Sequence, residues 1–183
     1  YIMKRGQVTL FIIVGVVIVA LIAFGLYVFN NQNFKNTKTS TDPIYSFVQF
    51  CLDETLKDGI DFIGLQGGYY KKPVLSKYYF YHNIPYYFSD NKSIIPEIEV
   101  VEQELNEYIE DNVPFCLDGF KNFESYTIEY GEIKVITTID EEDVAITVDY
   151  PIKIISGEDI TEFDTFSSST NSNLRKAYTF SQQ

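Results

Sequence analysis

The feature that most constrains this chain is an uncharged apolar run near its start. No charged residue occurs from Gly6 to Phe34, and 16 of the 22 residues 8–29 are Val, Ile, Leu or Phe. A helix of 22 residues is about 33 Å long, enough to cross a hydrocarbon core of ~30 Å. Few soluble helices are apolar on every face for six turns. We therefore predict a hydrophobic transmembrane or filament-core helix over residues 7–29.

The flanking charges predict its orientation. Lys4 and Arg5 precede the run, and all 26 acidic residues lie at or after Asp42. The positive-inside tendency places residues 1–6 in the cytoplasm and the rest of the chain outside. A cleaved secretory signal is the alternative, but its apolar region is usually about 7–15 residues long. The longer run, followed by the polar residues 30–33, favours a retained anchor in the cell membrane or an extracellular filament.

Composition excludes several functional classes. After residue 30 the chain carries 26 acidic and 12 basic residues, a net charge of −14, which is unsuited to nucleic-acid phosphates. Fifteen Tyr and 15 Phe supply bulk for a core and argue against global disorder. One His and two Cys are too few for a typical zinc site or a disulfide-dense scaffold. We predict no enzyme activity, metal or cofactor.

Beyond the run, the pattern predicts a tether and one extracellular domain. Residues 30–42 are polar and lack apolar periodicity, so they are predicted to be a flexible tether. Asp42-Pro43 is a helix start, and apolar residues then recur on one helical stripe as far as Gly64. A second helix is predicted from Pro96 to about Asn112.

Pro114 is predicted to restart a short helix through about Phe120, and period-two alternation follows. Strands are predicted at 127–131, 132–139, 144–150, 152–155 and 161–166. A frayed helix follows from Asn173. The predicted fold class of residues 43–183 is α+β, with two to three helices packed on an antiparallel meander that has one wet face.

A tyrosine-rich band lies between the first two predicted helices. Residues 69–88 hold seven Tyr and two Phe, and turn signals predict a hairpin of about 74–82 and 86–89. Exposed Tyr clusters suit protein or glycan contacts, whereas ordinary strand packing would bury half of them. The predicted contact residues are Tyr78, Tyr79, Tyr86 and Tyr87.

Cys51 and Cys116 share the context Phe-Cys-Leu-Asp and lie on apolar faces of predicted helices outside the cell. An even number of Cys outside the membrane usually pairs, which predicts a disulfide; two buried free thiols are the alternative. Closing a loop of about 65 residues stabilises a fold by roughly 4 kcal/mol in the chain-entropy model.

Several other motifs have simple interpretations. Asp140–Asp143 is predicted to be a solvated hairpin tip, because it lacks the twelve-residue pattern of a calcium loop. The glutamates of residues 97–110 are predicted to form a solvent-exposed helix face, and His82 is alone. Gly64–Gly68 follows a helix and not a strand, which predicts a helix end and not a phosphate loop. Asn91-Lys92-Ser93 is a sequon, which makes Asn91 a candidate glycosylation site.

The segment Lys4–Phe11 resembles the class III signal of archaeal type IV pilins, in which a basic pair and a small residue precede the processing site. The resemblance implies cleavage between Gly6 and Gln7, so that the mature protein begins with the hydrophobic helix. Phe11 stands where pilins often carry Glu, and the polar tether interrupts the helix.

The chain is also similar to single-span surface proteins of small-genome archaea, through Gly6–Thr9, Cys51–Thr55 and Gly64–Tyr69. Two functional classes follow. One is a pilin-like subunit that assembles through its helix; the other is a membrane-anchored binding or adhesion module. The expected partners are further copies of the chain, membrane lipid along residues 8–29, and other surface proteins or glycans.

Overall fold

The structure is a computed structural model that describes residues 43–182 and the helical position Gly15. The predicted leader, the tether and the rest of the hydrophobic helix lie outside the described residues. None of the helices within the described residues has the length and hydropathy that a membrane span requires. All elements below belong to the unit Thr41–Gln183.

Two long helices pack against each other. Helix α1 spans Pro43–Leu65, beginning at the predicted proline, and helix α2 spans Ile98–Leu117. Cys51 forms a disulfide with Cys116, and their Cα atoms are 5.7 Å apart, so the predicted pairing is present. The buried apolar side chains of the two helices are Ile44, Val48, Leu52, Leu56, Ile63, Val101, Leu105, Ile109, Val113 and Leu117.

The prediction that Pro114 starts a separate helix is wrong, because α2 continues through it to Leu117. A proline inside a helix removes one backbone hydrogen bond and normally ends the helix. Here the buried side chains of Val113 and Leu117 and the disulfide at Cys116 hold the last turn in place. A 3-10 segment, Asp118–Phe123, follows.

The tyrosine-rich region forms two short hairpins where the sequence predicted one. Strand β1 (Ser76–Tyr79) pairs with β2 (His82–Pro85), and β3 (Phe88–Ser89) pairs with β4 (Lys92–Ser93). The residues 83–85, predicted to form a turn, therefore lie in a strand. Proline is tolerated at such a strand end because it need not donate a ladder hydrogen bond there.

The remaining strands form one antiparallel sheet, but only the last three of them make the predicted meander, because the first pairs with the third and not with the second. The strands are β5 (Thr127–Tyr130), β6 (Lys134–Ile139), β7 (Asp143–Ser156) and β8 (Asp159–Asn171). Strands β5 and β6 pair with successive halves of one edge of β7, and β8 pairs with its other edge. Pro151 lies at the register shift between Asp149 and Ile152, so β7 runs on through a proline that was predicted to interrupt it.

One face of the sheet is buried and the other is wet, as the alternation predicted. In β7 the side chains of Val144, Ile146 and Val148 are buried, whereas Thr147 and Asp149 are exposed. Helix α1 packs against β8 and helix α2 against β6.

The last strand and the helix after it contribute more structure than the predicted strand at 161–166 and frayed helix. Strand β8 extends to Asn171, and helix α3 spans Leu174–Ser181. Ser168 is buried and its hydroxyl donates to Asp53 Oδ1 at 2.6 Å. Gln49 Nε2 donates to Ser167 O at 2.9 Å, so helix α1 pairs the polar groups of this strand.

The glutamates of α2 are not merely a solvent-exposed face, which corrects the prediction. Glu102 Oε1 accepts from Ile139 N at 2.9 Å, and Glu110 Oε1 accepts from Val135 N at 2.8 Å. These N–H groups belong to β6, an edge strand whose donors would otherwise be open to another chain. The helix thus satisfies two backbone donors of this edge strand.

We expect the double variant Cys51→Ala/Cys116→Ala to unfold with a free energy lower by about 4 kcal/mol, because the disulfide closes a loop with a sequence separation of 65. Urea denaturation of both proteins measures the difference. Alkylation of either thiol in denatured, unreduced native protein would contradict the pairing.

A glycine of α1 sets the distance between the two helices. A Cβ atom on Gly59 would lie 2.8 Å from Leu105 Cδ1 and 2.8 Å from Tyr108 Cδ1, whereas one on Gly64 would meet nothing within 4 Å. We expect Gly59→Ala to destabilise the domain by about 1–3 kcal/mol through overpacking. The matched variant Gly64→Ala should be neutral or stabilising by up to ~1 kcal/mol. Equal denaturation midpoints for the two variants would contradict this close packing.

Candidate contact surface

The two hairpins concentrate exposed apolar side chains. We call residues 74–94 the hairpin surface. Ten of the 18 exposed large hydrophobic residues in the described part of the chain lie in it: Val74, Leu75, Tyr78, Tyr79, Phe80, Tyr81, Ile84, Tyr86, Phe88 and Ile94. Clusters of exposed apolar groups on soluble domains mark interaction sites.

A buried glutamine holds the first hairpin against the end of α1. Gln66 is 2% exposed. Its amide nitrogen lies 3.2 Å from both Tyr69 O and Tyr70 O, and its Oε1 accepts from Asn83 N at 2.8 Å. Sequence reasoning missed this role. The sequence feature that indicates it is a single amide side chain, Gln66, within the glycine-rich segment Gly64–Gly68 at the end of the helix.

Gly67 permits the close approach of the hairpins. Its φ is +63°, and a Cβ atom there would lie 2.5 Å from Tyr87 Oη and 2.8 Å from Pro85 Cγ. Tyr87 Oη donates to Gly67 O at 2.8 Å, and burial raises the pKa of this phenol. Tyr87 therefore supports the hairpins from within and is not an outward contact residue.

The other three predicted contact residues, Tyr78, Tyr79 and Tyr86, are exposed. Four further exposed apolar residues of the same segment were not selected by the sequence analysis: Val74, Leu75, Phe80 and Tyr81. Phe80 and Tyr81 were not selected because Phe and Tyr do not normally form turns, so nothing in the sequence indicated that these two residues lie at a hairpin tip.

The turn of the first hairpin has unusual residues. Phe80 and Tyr81 have φ values of 45° and 68°, so both central residues of a two-residue loop are left-handed. Such a loop normally uses Asn and Gly, and a left-handed residue with a side chain costs about 1–2 kcal/mol. Their side chains are 74% and 87% exposed, so contacts with the rest of the domain offset little of this cost.

The second hairpin has the expected turn residues. Asp90 and Asn91 also have positive φ, 50° and 61°, and short polar side chains tolerate this conformation. Asn91, the candidate glycosylation site, is exposed at this turn. The aromatic pair in the first hairpin is therefore not a requirement of the turn geometry.

The hairpin surface also differs in charge from the rest of the domain. Residues 74–94 contain two Lys and one Asp, whereas the rest of residues 43–182 contains eight basic and 24 acidic residues. Lys71 forms an ion pair with Glu107 and lowers the pKa of that carboxyl. Lys77 and Lys92 lie exposed on β1 and β4. The hairpin surface is therefore aromatic with a net charge of +1, whereas the rest of the domain is acidic.

The other predicted residues lie as follows. Gly6 and Gln7 are outside the described residues. Asp140 N donates to Asp143 O at 2.9 Å, which closes the predicted hairpin tip. His82 packs edge-on against Phe62 at 6.0 Å between ring centroids. Among the described residues, no group of three or more His, Cys, Asp or Glu is placed to hold a metal ion.

Comparison of the chain with protein-family models, curated proteins and solved structures found no match.

We expect Tyr87→Phe to lower the free energy of unfolding by about 1 kcal/mol, because it removes the donor to Gly67 O. Tyr86→Phe is the matched control and should change stability by less than ~0.5 kcal/mol, since Tyr86 is 50% exposed. Urea denaturation of both variants distinguishes the supporting tyrosine from the outward one. An equal loss of stability in the two would contradict this assignment.

Proposed function

We propose that this protein is a cell-surface structural protein, a pilin-like subunit whose hydrophobic helix over residues 7–29 assembles with further copies into a filament or surface array. The observation that carries the proposal is the hairpin surface, an exposed apolar area on an otherwise acidic domain. The pilin-type segment Lys4–Phe11 supports the same conclusion.

The composition of the hydrophobic helix indicates that the domain contributes to assembly. Lipid gives no hydrophobic drive for helix pairing, so tight pairing relies on small residues spaced four apart. The small residues of the run are Gly15, Ala20, Ala23 and Gly25, and no two of them have that spacing. The hairpin surface supplies aromatic contact area instead, and like charges elsewhere on the domain oppose non-specific association.

The second candidate is a membrane-anchored adhesion module. Exposed lysines such as Lys77 and Lys92 beside exposed aromatic rings favour this function, because rings stack on sugars and ammonium groups attract anionic substituents. In that case the hydrophobic helix serves only as an anchor.

Sedimentation velocity and electron microscopy of the full chain in mild detergent test the first proposal. We expect ordered polymers whose size rises with concentration. The variant Tyr78→Ser/Tyr79→Ser/Tyr86→Ser should weaken association tenfold or more, because it removes three exposed rings. The matched control, Phe50→Ser/Ile136→Ser/Ile160→Ser, removes three exposed apolar side chains from other parts of the domain and should still assemble.

A protein that is monomeric at every concentration would overturn the subunit proposal and favour the adhesion module. Equal association of the tyrosine variant and its control would remove the hairpin surface from the assembly contact. The mass of the native protein sheared from the cell surface tests the pilin-type processing: a chain beginning at Gln7 supports it, and a chain that keeps Lys4 contradicts it.

A further inference from the structure

The domain carries an apolar cavity that shares no residue with the hairpin surface. A cavity of about 350 Å³ lies beside the C-terminal end of α2, where β5 gives way to β6. We call it the socket. Its apolar wall includes Leu117, Phe120, Tyr130, Ile133 and Tyr150, and Glu110 and Glu132 add two carboxylates to the lining.

Two backbone features build the socket. The chain reverses at Gly119 and Phe120, which both have positive φ. Gly131 lies against the bulge of β7, since a Cβ atom there would be 2.7 Å from Pro151 Cγ. The socket therefore lies between a disulfide-held helix end and the sheet, with the buried Leu117, Phe120 and Tyr150 on its apolar wall.

We propose that the tip of the first hairpin, Phe80-Tyr81, docks into the socket of a second copy of this chain, so that subunits join head to tail. This inference rests on the proposed function and names its contact. The tip and the socket share no residue, so the interface is heterologous. Such interfaces build open chains when the rotation between subunits does not close.

The chemistry of the two surfaces is complementary. Rings line the socket, with Phe120 and Tyr130 at 5.4 Å and Tyr130 and Tyr150 at 6.2 Å between centroids, and an incoming ring adds further edge-to-face contacts. Lys77 lies on the strand that leads to the tip, and Glu132 is an exposed carboxylate of the socket. Opposite charges at the margin steer and orient such an encounter.

The presence of two aromatic residues at the turn of the first hairpin is explained by a contact outside the domain. Phe80 and Tyr81 have backbone angles that suit Asn and Gly, and the second hairpin uses Asp90-Asn91 in the same conformation. Strain of this kind accumulates at functional positions. A second copy that buries both rings supplies the contacts that the isolated domain lacks.

Two variants of the full chain test the docking in mild detergent, which covers the hydrophobic helix. Phe80→Asn/Tyr81→Gly removes the tip, and Ile133→Trp fills the socket. Each variant alone should associate about 30-fold more weakly than the native protein, as expected for loss of an interface hot spot. An equimolar mixture should form a dimer and stop there, because only one intact tip and one intact socket remain.

The tip variant has a second readout. Its melting midpoint should rise by about 2–4 °C, because the new residues suit the turn, so its lost assembly is not due to misfolding. If Ile133→Trp fails to fold, Glu132→Lys serves as the socket variant, because Glu132 is exposed and the new lysine would repel Lys77. Its mixture with the tip variant should again form only a dimer.

The other possible results separate a failure of the proposed function from a failure of the docking alone. A native protein that is monomeric throughout overturns the proposed function. A native protein that polymerises, with either variant polymerising equally well alone, overturns only the docking of tip and socket. Folded variants whose mixture stays monomeric overturn it as well.

Discussion

The packing of α1 on α2 is the contact on which the rest of the domain depends. Gly59 lets the helices approach, and Cys51–Cys116 joins them near the other end of the contact. Helix α1 then covers β8, and helix α2 covers β6. The hairpins are attached to the same pair, through Gln66 at the end of α1 and through Glu104 Oε2, which accepts from Tyr70 N and Lys71 N at 2.8 Å.

Local patterns predicted much of this fold. The apolar residues of α1 recur with helical spacing because one face of the helix is buried. The apolar and polar residues of β6 and β7 alternate because one face of the sheet is exposed to water. The disulfide followed from two cysteines in matching apolar contexts. These features depend on periodicity and residue type, which a single sequence contains.

The sequence predictions were wrong where a contact between distant residues outweighed the local conformational preference of a residue. Pro114 lies inside a helix because buried neighbours and a disulfide hold the turn around it. Phe80-Tyr81 forms a turn although neither residue is a turn former, so the strands of the band were assigned to the wrong pairs. The sequence predicts solvated glutamates on α2, because only tertiary packing brings their carboxylate oxygens to the backbone N–H groups of β6. In the candidate site the same limit applied to Tyr87, whose partner is a carbonyl 20 residues away.

The contact between α2 and the edge of β6 also sets a limit on length. Glu102 and Glu110 bond to Ile139 and Val135, so eight helix residues match four strand residues. Eight helix residues rise about 12 Å, and four strand residues about 13–14 Å. The rise of the helix and that of the strand therefore differ by about 1–2 Å over this span of four strand residues. Because this difference in rise grows with length, a straight helix can bond regularly only to a short edge strand. The six residues of β6 meet this limit, whereas the 13 residues of β8 would exceed it.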